Sequence, residues 1–144
     1  MLKFIISILF TITAGIVSPN DRPLEDDEQE LIQYLQRDLG DYFYLAVSYD
    51  HSSTQTLYVS STAEDKSLNL YALASQFRNE EAHLSESQSA ALGTYRCSIR
   101  LYEEWLLLHF QEHNSGIIVG VDAQSASHLR DFLEDLSPVV SPVL

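Results

Sequence analysis

GTYRCSIRLYEEWLLLHFQEHNSGIIVGVD, residues 93–122, contains three short strands in succession. In residues 94–103, Tyr95, Cys97, Ile99 and Leu101 alternate with Arg96, Ser98, Arg100 and Tyr102. That period of two marks a half-buried strand. Glu103 and Glu104 interrupt it, and residues 105–111 follow with Trp105, Leu106, Leu107, Leu108 and Phe110. Residues 112–116 make a polar turn in which Asn114 and Gly116 are suited to positive φ. Residues 117–121 are an unbroken apolar run, as expected of a strand inside a sheet with both faces covered. A three-stranded meander must bury a face against further elements.

The flanking sequence supplies those elements. Upstream, residues 42–49 and 55–60 are β-branched and aromatic and are separated by the polar turn 50–54, so they form an antiparallel pair. In the second of these strands Leu57 and Val59 are expected on one face and Tyr58 on the other. A first helix is predicted over 23–39, with Pro23 in its first turn and Gly40 just past its end. Leu24, Leu31, Ile32, Leu35 and Leu39 make its apolar stripe. The acidic run Glu25, Asp26, Asp27, Glu28 suits the positive end of the helix dipole, and reads as a solvated helix start and not as a metal site. A second helix is predicted over 63–78, with Thr62 and Asp65 at capping-box spacing and Leu70, Leu73, Ala74 and Phe77 on its buried face. Residues 79–92, polar and without a period, read as a long loop with room for one helical turn. The last helix takes Asp122 as N-cap, buries Leu129, Phe132, Leu133 and Leu136, and is expected to stop at Pro138.

The order α-β-β-α-β-β-β-α excludes a doubly wound sheet and predicts an α+β fold, a five-stranded antiparallel sheet with helices packed on it. The expected organisation is an apolar segment 1–18, a linker 19–23, one domain over 24–137 and a tail 138–144 that is loose or lies on the surface. The predicted core is Leu31, Leu35, Val47, Leu73, Phe77, Ile99, Leu101, Ile118, Val119, Leu129, Phe132 and Leu133, each on the apolar phase of its element.

Composition narrows the use of such a domain. The 144 residues are 45% apolar, and 21 acidic residues against 8 basic ones give a formal net charge of −13. Such a surface repels nucleic-acid phosphates and anionic headgroups, so neither is an expected partner. Lysine is confined to Lys3 and Lys66. An acid-rich, lysine-poor chain fits a cytoplasm of high salt, where screening suppresses self-repulsion; an ordinary acidic protein is the alternative. The lone cysteine, Cys97, falls on the core-facing phase of its strand and reads as a structural thiol. Residues 1–18 put Lys3 before an uncharged run too short for a membrane span. Three readings of this piece stand: a signal, a short anchor, or an extension from a misplaced start. A cytoplasmic domain is expected, with an exported or membrane-anchored one as the alternative if residues 1–18 act as signal or anchor.

No catalytic constellation stands out. His109 and His113 fall across a strand end and a turn, not on one helix face, and one cysteine cannot build a thiolate zinc site. Glycine-rich phosphate loops and nucleophile elbows are absent. Accordingly no enzyme activity, cofactor or metal is expected. Two places qualify as interaction candidates. Arg96 and Arg100 share a strand face with Tyr102; they can grip a carboxylate or phosphate, or pair with neighbouring acids. Leu57, Tyr58 and Val59 lie on a strand that a five-stranded sheet leaves at an edge with little charge to protect it. The aromatic density of Tyr42, Phe43, Tyr44, Tyr49 and Tyr58 allows a small-molecule pocket, or plain core packing.

The element order resembles that of roadblock-type domains, relatives of the profilin-like and longin folds, over residues 24–136. The resemblance implies strand order 2-1-5-4-3, with the first and third helices on one face and the second toward the other. It also implies a non-enzymatic domain that pairs with itself or a relative and receives a partner such as a small GTPase. In that family dimers commonly form through the second helix and third strand, here residues 63–78 and 94–103. At residue level, Tyr95-Arg96, Ile99-Arg100, Tyr102-Glu103, Gly116-Ile117-Ile118-Val119 and Asp122 resemble a group of uncharacterised haloarchaeal proteins. That second resemblance implies a halophilic archaeal source and no particular activity.

Overall fold

The computed structural model describes residues 22–84, 89–93, 95 and 97–144. In chain order the elements are α1 (Asp26–Leu39), β1 (Phe43–Tyr49), β2 (Thr54–Val59), α2 (Ser61–Asp65), α3 (Leu70–Leu84), α4 (Ser89–Leu92), β3 (Cys97–Leu101), β4 (Trp105–Glu112), β5 (Ser115–Asp122) and α5 (Leu129–Val140). Short 3-10 segments follow α1, β5 and α5. The five strands form one antiparallel sheet in the order β2-β1-β5-β4-β3. This is the α+β architecture expected from the element order, with the strand order that the roadblock resemblance implies.

Helices cover both faces of the sheet. On one side Leu31, Ile32 and Leu35 of α1, with Leu136 and Val140 of α5, pack on Phe43, Ala46, Leu106, Leu108, Phe110, Ile117, Val119 and Val121. On the other, Ala63 of α2 and Ala74 and Phe77 of α3 pack on Leu45, Val47, Tyr49, Leu107 and Ile118. Successive residues of β4 and β5 therefore enter opposite cores, which is why both strands are apolar without alternation. Each large side chain buried here contributes about 1.5–3 kcal/mol relative to exposure.

The start of α1 shows why Glu28 belongs to the fold. Its carboxylate is 3% exposed. It accepts two hydrogen bonds from the Arg22 guanidinium, at 2.7 and 2.8 Å, and one from the Glu25 N–H at 2.9 Å. Burial opposes the charge, but these bonds outweigh it and hold the Glu28 carboxyl below its usual range. The Gln55 side chain donates to the Arg22 carbonyl at 2.9 Å, tying this entry to β2. Only the other three acids of the run are exposed, as a solvated helix start requires. At the far end Gly40, at φ 53, closes α1 as predicted.

Several local expectations are corrected. The second helix is divided. Ser60, not Thr62, caps α2, its Oγ accepting from the Ala63 N–H at 3.2 Å. Ser67 then turns the chain at φ 53, and Asn69 starts α3 by accepting from the Ala72 N–H at 3.0 Å. α3 runs on to Leu84 and α4 follows, where a long loop was expected; residues 85–88 lie outside the described residues. The β4–β5 turn places His113, at φ 56, in the left-handed region, and not Asn114 or Gly116. Gly116 serves another end: a Cβ there would overlap the Tyr49 ring. Asp122 caps the 3-10 segment Ala123–His128, accepting from the Gln124 N–H at 2.8 Å, and α5 begins only at Leu129. α5 also passes through Pro138 to Val140. Val140 is 1% exposed, and its burial keeps the last turn helical despite the lost N–H. Val143 and Leu144, half-buried, lie against the same core.

Of the predicted core, Leu31, Leu35, Val47, Phe77, Ile118 and Val119 are buried, and Leu73, Leu129, Phe132 and Leu133 are half-buried against the two clusters. Ile99 and Leu101 are not core: they are 40% and 65% exposed. β3 is the outermost strand, whereas α1 lies over β1 and β2 with α5 beside it. Their cover gives out before the far edge of the sheet.

Candidate functional site

The two edge strands of the sheet have been put to different uses. On β2 the pairing with β1 shifts between Ala46 and Val47: Ala46 opposes Tyr58, while Val47 opposes Thr56. Leu57 is the extra residue of a β-bulge. Leu57 and Tyr58 therefore both join the α1 side, and Val59 the other, which corrects the simple alternation expected. Leu57 is buried, Tyr58 stacks on Phe43 with ring centroids 4.4 Å apart, and Val59 packs against the second cluster. Burial pushes the Tyr58 phenol up. All three side chains proposed from the sequence as an edge contact are committed to the domain's own packing.

The β3 edge is different. Its pairing with β4 is regular from Cys97 to Leu101. Ile99 and Leu101 stand out on one face, and Tyr102 follows at 52% exposure. On the opposite face the Arg100 guanidinium lies 4.2 Å from the centre of the Phe77 ring, a cation–π contact with α3. Arg96 lies outside the described residues. α3 presents Tyr71 at 64% exposure.

Beneath that contact is a buried polar pair. The Tyr49 hydroxyl and His109 Nε2 are 2.6 Å apart, and His109 is fully buried. The Phe77 ring lies 4.8 Å from the imidazole, and the Arg78 guanidinium 4.9 Å from the Tyr49 ring. This pair cross-links β1 and β4 across β5.

A second assembly stands at the end of the sheet where β1 and β4 begin and β5 ends. Tyr44 and Trp105 meet there with ring centroids 4.7 Å apart. The Tyr44 hydroxyl donates to Asp122 Oδ2 at 2.6 Å. That bond, with burial and the nearby acids, raises the Tyr44 phenol to about 12. The same bond, with the Gln124 N–H, holds the Asp122 carboxyl below its usual range. Lys66 Nζ reaches Glu104 at 3.2 Å across the exposed surface. Two cavities share this corner. One, of about 330 Å³, is bounded by Tyr44, Trp105, Asp122 and Glu104. The other, of about 550 Å³, runs between Leu68 and Leu73 on one side and Tyr102, Trp105 and Leu107 on the other. Sequence spacing does not bring residues 44, 66, 105 and 122 together. The strand order sets the start of β1, the end of β5 and the start of β4 side by side, and the end of α2 brings Lys66 to them.

Among the described residues, no group of three or more His, Cys, Asp or Glu could hold a metal ion. None of their helices is long and apolar enough to cross a membrane. Residues 1–18 lie outside the described residues.

No curated protein matches the chain. Among solved structures, an MglB described in a tetrameric arrangement is 16% identical at a TM-score of 0.54, covering 89% of this chain and 100% of that one. A Roadblock/LC7 domain from Streptomyces avermitilis is 18% identical at 0.49, covering 78% and 93%. The gliding protein MglB from Thermus thermophilus is 15% identical at 0.48, covering 88% and 99%. At such identities the first of these speaks for the fold alone. The model of the family described as a domain of unknown function (DUF7522) matches residues 29–141, most of the folded chain. The chain thus belongs to the DUF7522 family, on a five-stranded roadblock-type fold.

Proposed function

We propose that this domain is a non-enzymatic protein-interaction module of roadblock type, which pairs with a second copy through β3 and α3 and in that form receives a protein partner. One observation carries the reading: β3 is a regular edge strand that exposes Ile99 and Leu101, while the β2 edge is bulged and its side chains are buried inward. A regular edge strand with exposed apolar side chains is a template for another strand. The MglB of similar fold is described in a tetrameric arrangement. The roadblock resemblance supplies the partner class, a small GTPase, and with it a cytoplasmic location. The haloarchaeal resemblance and the charge of −13 add a high-salt setting.

Sedimentation tests the pairing. Leu101→Lys, at a 65% exposed position, leaves the fold intact and turns a dimer into a monomer near 100 µM, a concentration that saturates a typical specific interface. A wild-type monomer at that concentration, or a dimer untouched by Leu101→Lys, overturns the β3 route. Mass spectrometry of the native N-terminus distinguishes a cytoplasmic domain from one anchored through residues 1–18.

A further inference from the structure

We propose that the corner around Trp105 is a docking site for a basic, apolar-bearing segment of a partner protein, with a Lys or Arg side chain entering beside Asp122 and Glu104 and an adjoining bulky apolar side chain entering the groove between Leu68, Leu73 and Leu107. The proposal rests on the interaction-module reading but uses another surface. Leu107 and Trp105 face the α2–α3 side of the sheet, opposite Ile99 and Leu101.

Two cavities of different chemistry share a wall formed by Lys66, Glu103, Glu104 and Trp105. The smaller is walled by the aromatic faces of Tyr44 and Trp105 and edged by Asp122, Glu103 and Glu104. A guanidinium or ammonium is attracted to such faces within about 6 Å of a ring centre, and its aliphatic stem can lie along the indole. Asp122 is kept ionised by the Tyr44 hydroxyl and the Gln124 N–H. Glu104 is held by Lys66 alone among the contacts described, in a pair whose side chains are 48% and 71% exposed. Exposed pairs of this kind are weak and exchange readily. Lys66 therefore marks, from within the chain, the position a partner's cation takes over. The larger cavity, about 550 Å³, has the size of a site that accepts a bulky group. Its rim leaves Leu68 45% exposed and Tyr102 52% exposed, apolar area that an occupant would cover. The net charge of −13 draws basic segments toward this surface and repels acidic ones.

Trp105 is the only tryptophan, so its fluorescence reports on this corner directly. The probe is the peptide acetyl-Gly-Arg-Phe-Arg-Leu-Gly-amide, titrated at the lowest sodium chloride concentration at which circular dichroism shows the fold retained. A saturable change in Trp105 emission is expected, and none from the same peptide with glutamate in place of arginine. Glu103→Gln with Glu104→Gln, at exposed positions that do not hold the fold, weakens binding about five- to tenfold. Leu101→Lys leaves the binding unchanged even where it abolishes pairing, so failure of one reading is distinguishable from failure of the other. The proposal is overturned by no saturable change up to about 1 mM peptide, a level that detects interactions near 4 kcal/mol. It is equally overturned by an unaltered affinity in the double variant or an equal response to the glutamate peptide. Saturation by arginine amide as tight as by the peptide replaces it with a small-cation site.

Discussion

Replacing Gly116 by alanine tests the packing of the sheet at its tightest point. Gly116 sits on β5 opposite Tyr49 of β1 and Gln111 of β4. A Cβ there would run into the Tyr49 ring near its hydroxyl, the end bonded to His109. The ring is 4% exposed and has the sheet beneath it and Arg78 above, so it cannot swing clear. Overpacking of this kind costs about 1–3 kcal/mol. Displacing the ring also strains the Tyr49–His109 bond, worth about 1 kcal/mol net. Against this, alanine restricts the unfolded chain and returns about 0.4–1 kcal/mol. The balance is a loss of about 2 kcal/mol, which for a domain of this size lowers Tm by roughly 6–10 °C. The assay is a thermal melt of four proteins: wild type, Gly116→Ala, Tyr49→Leu and the double variant. Because leucine leaves the space that the new methyl needs, the double variant is less destabilised than the sum of the singles, by about 1 kcal/mol or more. A Gly116→Ala protein as stable as wild type, or a strictly additive cycle, refutes the close-approach argument.

Ile118→Asp abolishes folding, because an unpaired buried carboxylate costs several kcal/mol against a total of about 5–15; a soluble variant with the wild-type melt would contradict the placement of β5. Glu28→Gln acts through pH: the Glu28 carboxyl is lowered in the fold, so its contribution is present above the unfolded pKa and is lost as pH falls through the folded one. Wild type therefore loses stability on acidification more steeply than Glu28→Gln, and identical acid limbs in urea melts would remove Glu28 from the account. Tm rises with sodium chloride, since the Debye length falls from about 10 Å at 0.1 M to about 3 Å at 1 M and a chain of net charge −13 repels itself less; a flat or falling Tm would discard the high-salt reading.

The sheet was legible because its signals are local and redundant. Period-two alternation at 95–102, apolar runs at 105–110 and 117–121, and short polar turns leave few other arrangements, and the observed strand order is the expected one. What escaped depends on partners distant in sequence. Ile99 and Leu101 carry the core-facing phase, yet whether a helix covers them depends on where α1 and α5 stop across the sheet. Glu28 is indistinguishable from Asp26 and Asp27 until Arg22 folds back on it. The bulge at Leu57 leaves no mark in a five-residue alternation. The break between α2 and α3 was within reach, since Ser67 and Asn69 are ordinary turn and cap residues, but the 3.6-residue period runs smoothly across them. Of the candidate residues, Arg100 was put on a strand face without any sign of the Phe77 ring, which α3 brings to 4.2 Å from its guanidinium. The meeting of Tyr44, Trp105 and Asp122 is a product of strand order, and Lys66 joins them from the end of α2.

The extra residue at Leu57 has a consequence for how large an assembly this sheet can build. A strand that is out of step with its neighbour by one residue cannot offer an even row of donors and acceptors to an incoming chain. Growth from that side is blocked, and the other margin, β3, stays regular. With only one margin able to accept a strand, two copies meeting β3 to β3 use up each other's capacity and end the addition. A ribbon of indefinite length needs two regular margins per copy, and among the described residues one margin is regular. Under β3-to-β3 pairing, the irregularity in β2 would hold a continuous sheet to two copies.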